Sequence, residues 1–318
     1  MKRQLHSPLF SRQHGLTLVE ILVALTISLL LLAGIVQVFI GNKNTYRLQE
    51  GLSRMQESGR FITEYLARNI RSAGYMGCLS RNAPVTNTLN NADTSPYDFE
   101  QGLEGFEANG TAPNQTYTLT ATNPEPATTG SGWTPNLPPV LAGKVIPGTD
   151  VIVIRGAEDN DVEVTKNNDS AQLFARNTGV EKDACPDPND PTKKIDRISG
   201  LCIGDILVVS DCQKARVFQL TNLTSTGSGN TEINVVHSNA NFTPGNAESS
   251  WGGNSTAQDE SFGPGSSILK VSTRYFFIGR RAAAGGEPAG PPSLYMQSGT
   301  AAAQELVENV ESMQILYG

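Results

Sequence analysis

The chain has 318 residues, 38% hydrophobic and 17% charged, with 31 Gly, 18 Pro, three His and a net charge of −7. Both fractions lie below the globular norms of about 45–50% and about 25%. This excludes collagen, a coiled-coil array and a highly charged disordered chain, and three His exclude a His-rich metal site.

Charge is uneven along the chain. Residues 1–72 hold 9 Lys/Arg against 4 Asp/Glu, and residues 73–318 hold 15 against 27. So acidic a body does not bind nucleic acid through bulk charge. The first 15 residues carry Lys2, Arg3 and Arg12 and no acid, and read as a basic leader ending at Gly15. Leu16 to Ile40 is an apolar run broken by one charge, Glu20. As a helix it spans about 37 Å, enough to cross a bilayer core of ~30 Å. A secretory signal has its small-residue cleavage site after the apolar stretch. Here the small residue precedes it, so a cut after Gly15 leaves a membrane helix, residues 16–41, on the mature chain.

Residues 42–72 continue as an amphipathic helix. Leu48, Leu52, Met55, Ile62, Leu66 and Ile70 recur at mainly three- and four-residue spacing, with Glu50–Arg54, Arg60–Glu64 and Glu64–Arg68 as candidate pairs. No proline lies between Pro8 and Pro84. One helix is therefore expected from Thr17 to Ser72. The stripe alone does not separate a stalk from a helix packed on its own sheet.

Residues 73–318 read as a β-rich body, for an α+β chain overall. Strands are expected at 150–155, 205–210, 215–220, 232–236, 268–278 and 312–317, from their β-branched or alternating runs. Residues 110–139 and 239–267 are rich in Gly, Pro, Ser, Thr and Asn and read as long surface loops. No internal repeat and no linker divides the body.

The chemistry-bearing residues are few. The sequence has no P-loop, no H-E-x-x-H, no G-x-S-x-G and no dinucleotide-binding fingerprint. Removal of the leader takes His6 and His14 and leaves His237, which reads as a solvated side chain. No enzyme activity, metal or cofactor is expected. Asp159, Asp161 and Glu163, and Asp183, Asp187 and Asp190, lack the Gly and terminal Glu of a calcium loop and read as solvated turns. Cys78, Cys185, Cys202 and Cys212 fit no zinc spacing. Their even number fits two disulfides in an oxidising compartment. Three connectivities are open. Cys185 and Cys202 bracket a Pro/Asp/Lys-rich loop, which makes a local bridge plausible and leaves Cys78 with Cys212, tying the helix exit to the sheet.

The sharpest feature is G-L-T-L-V-E, Gly15 to Glu20. A carboxylate inside a spanning helix costs about 2.5–3.5 kcal/mol and is normally partnered and functional. A cut after Gly15 creates an α-amine on Leu16, one helical turn from Glu20.

Basic leader, Gly15, apolar helix and Glu20 as fifth mature residue together resemble the processing and N-methylation site of type IV pilins and type II secretion pseudopilins. Leu16 departs from the Phe usual there. NIRSAGYMGC (69–78), GDILVVSDCQKARVFQL (204–220), STRYFFIGRR with SLYM after it, and LVENVESMQILYG resemble the PilW-type minor pilins. The loops at 84–149 and 221–265 carry no resemblance. The resemblance implies a pilin-like fold, a long N-terminal helix packed on an antiparallel sheet. It implies cleavage between Gly15 and Leu16, methylation of Leu16 and an assembly role for Glu20. Its implied partners are other minor pilins, the major pilin, the prepilin peptidase/methyltransferase and inner-membrane lipid, with the head in the periplasm and the subunit in the pilus or at its tip. The J-type pseudopilin of type II secretion and, in a different class, a membrane-anchored periplasmic binding protein or enzyme are the alternatives.

Overall fold

The computed structural model describes residues 15, 17–80, 82–118, 124–253, 260–284 and 288–316. Leader residues 1–14, Leu16 and Tyr317 lie outside the described residues. Helix α1, Leu18–Arg71, runs unbroken for 54 residues, about 81 Å at 1.5 Å per residue. No proline interrupts it, and several of its hydroxyl residues are satisfied internally. Ser28, Thr45 and Thr63 donate to the carbonyls of Ala24, Gly41 and Gly59 at 2.7, 3.0 and 2.8 Å. The expected Glu50–Arg54 pair forms at 2.6 Å on the exposed surface. The chain divides into two compact units, the helix up to Thr63 and Glu64–Gly318.

Fourteen strands are found among the described residues: β1 Val85–Asn87, β2 Leu103–Ala108, β3 Trp133–Thr134, β4 Val151–Lys166, β5 Gln172–Arg176, β6 Val180–Asp187, β7 Asp190–Ile198, β8 Ile206–Ser210, β9 Ala215–Gln219, β10 Asn222–Thr226, β11 Glu232–Val236, β12 Ser267–Arg280, β13 Pro292–Ser298 and β14 Gln304–Glu308. β4 and β12 pair antiparallel along their length and form the spine. One end of β4 carries β2 and then β3, and the other carries β5, β11 and β10. The free edge of β12 is likewise shared, by β8 over Ser267–Lys270 and by β13 over Arg274–Arg280. All pairings are antiparallel except β1 on β9. β6 and β7 form a separate two-stranded hairpin.

Alternation along the spine feeds both faces of the sheet. Val151, Val153, Tyr275 and Phe277 enter one cluster with Trp133 and Leu141. Ile152, Ile154 and Phe276 face the other way, against Tyr65 and Leu66 of the helix end. In β8, Leu207 and Val209 enter one cluster and Val208 another. Both faces being covered explains why 151–154 and 275–278 are apolar runs rather than alternating ones.

Two expectations are corrected. Residues 312–316 form no strand; the last strand is β14, and Ile315 is held by its N–H donating to the Asp150 carboxylate at 2.8 Å. The Asp150 N–H donates in turn to the Met313 carbonyl at 2.9 Å, so contacts with Asp150, and not a ladder, hold the segment there. The stretches at 110–139 and 239–267 are not surface loops throughout. Trp133 and Leu137 from the first, and Trp251 and Phe262 from the second, are buried in the core. Burial of so much aromatic surface outweighs the loop-like composition around it.

Candidate functional site

The start of α1 carries a capping box. Thr17 precedes the first helical residue and Glu20 is the third. The Glu20 carboxylate accepts the Thr17 N–H and the Thr17 hydroxyl, both at 2.9 Å, and the Glu20 N–H donates to the Thr17 hydroxyl oxygen at 3.3 Å. Two helix-start donors are thereby satisfied reciprocally. T-x-x-E ahead of an apolar run, here Thr17 to Glu20, is the local signature of this device. Gly15 is exposed, and a Cβ added there meets nothing within 4 Å. The chain's own packing therefore does not require glycine at 15. Leu16 lies outside the described residues.

From Leu18 to Ile40 the large apolar side chains all stand open, and this is a helix long and apolar enough to cross a membrane. The stripe beyond it is also open at first: Leu48, Leu52 and Met55 are 74%, 51% and 64% exposed. The helix end packs on the sheet. There Tyr65 meets Phe276 edge-on at 6.0 Å between ring centroids, and Leu66 joins the same cluster. Asn69, buried, donates to the Tyr65 carbonyl at 2.8 Å and accepts from the Arg274 guanidinium.

Beyond the helix the chain is laid onto β4. The Gly74 N–H donates to the Arg155 carbonyl at 2.8 Å, and the Ala157 N–H to the Tyr75 carbonyl at 2.7 Å. Two glycines permit this approach. A Cβ on Gly156 would sit 2.8 Å from the Ser72 carbonyl oxygen, and one on Gly102 would sit 2.5 Å from Gly74 Cα. Asn69, Arg274, Gly102 and Gly156 carried no sequence signal, since each matters only through the partner brought to it by the fold.

The four cysteines form two bridges, Cys78–Cys212 and Cys185–Cys202, with Cα atoms 4.6 and 5.8 Å apart. The first joins the helix exit to the β8–β9 turn, where the Ser80 N–H also donates to the Cys212 carbonyl at 3.4 Å. The second staples the β6–β7 hairpin. His237 is not solvated, as its sequence context suggested. It is fully buried and stacks on Trp251 at 3.9 Å, with Phe218 edge-on at 5.6 Å. Its ring is covered by Trp251, which is held in place by its main-chain N–H donating to the Ser170 carbonyl at 3.1 Å. Burial drives its pKa down to about 4, Arg216 adds to the shift, and Asp169 and main-chain acceptors oppose it. Glu163 pairs with Arg176 at 2.9 Å, and Asp190 with Lys193 at 3.0 Å. Among the described residues no three His, Cys, Asp or Glu side chains are grouped to hold a metal.

Comparison with known proteins bears on the N-terminus alone. No curated protein and no solved structure matches the chain. Residues 10–36 match the family described as the prokaryotic N-terminal methylation motif. That segment contains Gly15, Leu16, Thr17, Glu20 and the first half of the exposed helix. Such a motif implies processing by a prepilin peptidase and association with pilus or secretion-assembly components. With the long apolar helix and the antiparallel head, it supports a single-pass, membrane-anchored pilin- or pseudopilin-like protein.

Proposed function

We propose that this protein is a PilW-type minor pilin, a non-catalytic subunit that joins a priming complex for type IV pilus assembly through α1 and stands at or near the fibre tip. Cleavage after Gly15 exposes the Leu16 amine, which is then methylated, and Glu20 pairs with a terminal amine in the assembled bundle. The head lies in the periplasm, where disulfides persist. Supporting this is the arrangement at the junction: a free-standing Gly15, then a capped and wholly exposed apolar helix. A second observation favours the PilW-type reading over a J-type pseudopilin. Two of the segments that carry the resemblance, 69–78 and 204–220, meet through the Cys78–Cys212 bridge.

N-terminal sequencing and mass spectrometry of the mature protein test the reading. The expected result is a chain beginning at Leu16 with a methylated amine. Gly15→Val leaves a precursor about 15 residues larger, since a side chain there obstructs the peptidase without disturbing the fold. Normal processing of that variant would overturn the assignment.

A further inference from the structure

The shared edge of β12 leaves a gap in the sheet. β8 covers it as far as Lys270 and β13 takes over at Arg274, so Val271–Thr273 face neither strand. A cavity of about 320 Å³ opens there, walled by the turn before β8 and the turn after β13. This is the lower end of the range for small-molecule sites, roughly 300–1,000 Å³.

Three features distinguish the gap from an accident of strand length. A bulge in β4 sets three residues, Glu158–Asn160, against the single Lys270 of β12. Bulges re-aim side chains and cluster beside functional sites. This one brings Glu158 to the cavity, half-buried and without an ion pair among the described residues. Across from it, Lys270 Nζ lies 2.9 Å from Asp205 Oδ1, while Asp205 Oδ2 accepts the Cys202 N–H at 2.9 Å. That leaves ammonium hydrogens of Lys270 to spare. Ser272, on the cavity floor, is 9% exposed, and its hydroxyl has no hydrogen-bond partner. A buried, unpaired hydroxyl costs free energy that a bound polar group returns. Tyr97 also lines the cavity.

We infer that this notch is a binding site for a neutral or amino sugar of one or two rings. The volume admits a ligand of that size. The chemistry fits vicinal hydroxyls: Glu158 accepts from two, Lys270 donates to a third, and Ser272 both donates and accepts. The apolar face of the ring lies against Tyr97. Glu158, Asp205 and Lys270 together give the lining a net negative charge, which disfavours an acidic sugar.

Saturation-transfer NMR on the full chain in phosphatidylcholine nanodiscs, free of sugar-based detergent, tests the inference. The probes are glucose, galactose, N-acetylglucosamine, glucosamine and glucuronate. At least one neutral or amino sugar is expected to show transfer at millimolar concentration, and glucuronate none. Glu158→Gln is expected to weaken binding at least tenfold, and Ser272→Val, which fills the floor, to abolish it. Tryptophan fluorescence checks that both variants are folded, and Glu181→Gln on the distant hairpin is expected to bind as wild type. Absence of transfer from every neutral and amino probe overturns the proposal. So does binding that neither notch variant changes, or that favours glucuronate.

Discussion

Protonation of His237 is a perturbation that acts from inside the core of this protein. The ring is buried against Trp251 and Phe218, and its pKa falls to about 4, whereas in the unfolded chain it is ordinary, near 6.5. The unfolded state therefore takes up the proton first as pH falls. Stability is unaffected above about pH 6.5, declines by about 1.4 kcal/mol per pH unit below it, and levels off near pH 4. The full loss is about 3 kcal/mol, a large share of an ordinary folding free energy of 5–15 kcal/mol. Asp169 titrates in a lower window: burial raises its carboxyl, but hydrogen bonds from Gln172 and Ala171 more than offset this. Its contribution is lost only as pH falls through the acid end of the carboxylate range. His237→Phe keeps an aromatic ring on Trp251 and removes the titration. Urea denaturation of the full chain, followed by tryptophan fluorescence at pH 7.5, 6.5, 5.5 and 4.5, compares the two. The wild type is expected to lose about 1.4 kcal/mol more than the variant between pH 7.5 and 5.5. Parallel profiles would refute the argument, because they would mean the ring is protonated without leaving its site.

Two further perturbations separate elements of the fold. Loss of Cys78–Cys212, spanning 134 residues, is expected to cost up to about 5 kcal/mol, and loss of Cys185–Cys202, spanning 17, about 3 kcal/mol; thermal melts of the two paired Cys→Ser variants give the order. Leu66→Asp places a charge in the helix–sheet cluster and is expected to cost several kcal/mol, whereas Leu52→Asp, on a 51% exposed side chain, leaves the melting temperature of the isolated subunit within a few degrees.

The helix was legible to within a residue at each end, because its signals are local: an apolar run, no proline and three- and four-residue spacing. Both spine strands were legible in place but not in extent. β4 continues from Val151 to Lys166 through GAEDND, whose composition reads as a turn. It persists because β12 pairs with it on both sides of the bulge. β5 and β10 lacked apolar runs of their own and exist as strands through their pairing with β11. The buried Trp133 and Trp251 lie in turn-rich sequence, so only long-range packing reveals them. Periodicity marks which residues share a face, but it does not say which turns meet a partner; the turn that carries Tyr65 and Leu66 does.

The same limit applies to Glu20. Its spacing from Leu16 was legible, but its position in this chain is a capping box with Thr17. Two roles for the carboxylate therefore have to be separated. A capping interaction is worth about 1 kcal/mol and acts on the first turn alone. Loss of one member of a buried charge pair in an assembled bundle costs roughly 3–5 kcal/mol, a factor of hundreds or more in association. Glu20→Gln separates the two, since glutamine serves in a capping box and carries no charge. Glu20→Ala removes both. If the charge governs recruitment, the Gln and Ala variants are made, cleaved and retained in the membrane, yet both are depleted from sheared fibres relative to wild type at equal membrane levels. If capping governs it, Gln incorporates normally and only Ala is depleted, by a few-fold. Normal incorporation of both variants would remove Glu20 from the assembly mechanism and leave it a tolerated acid near the headgroups.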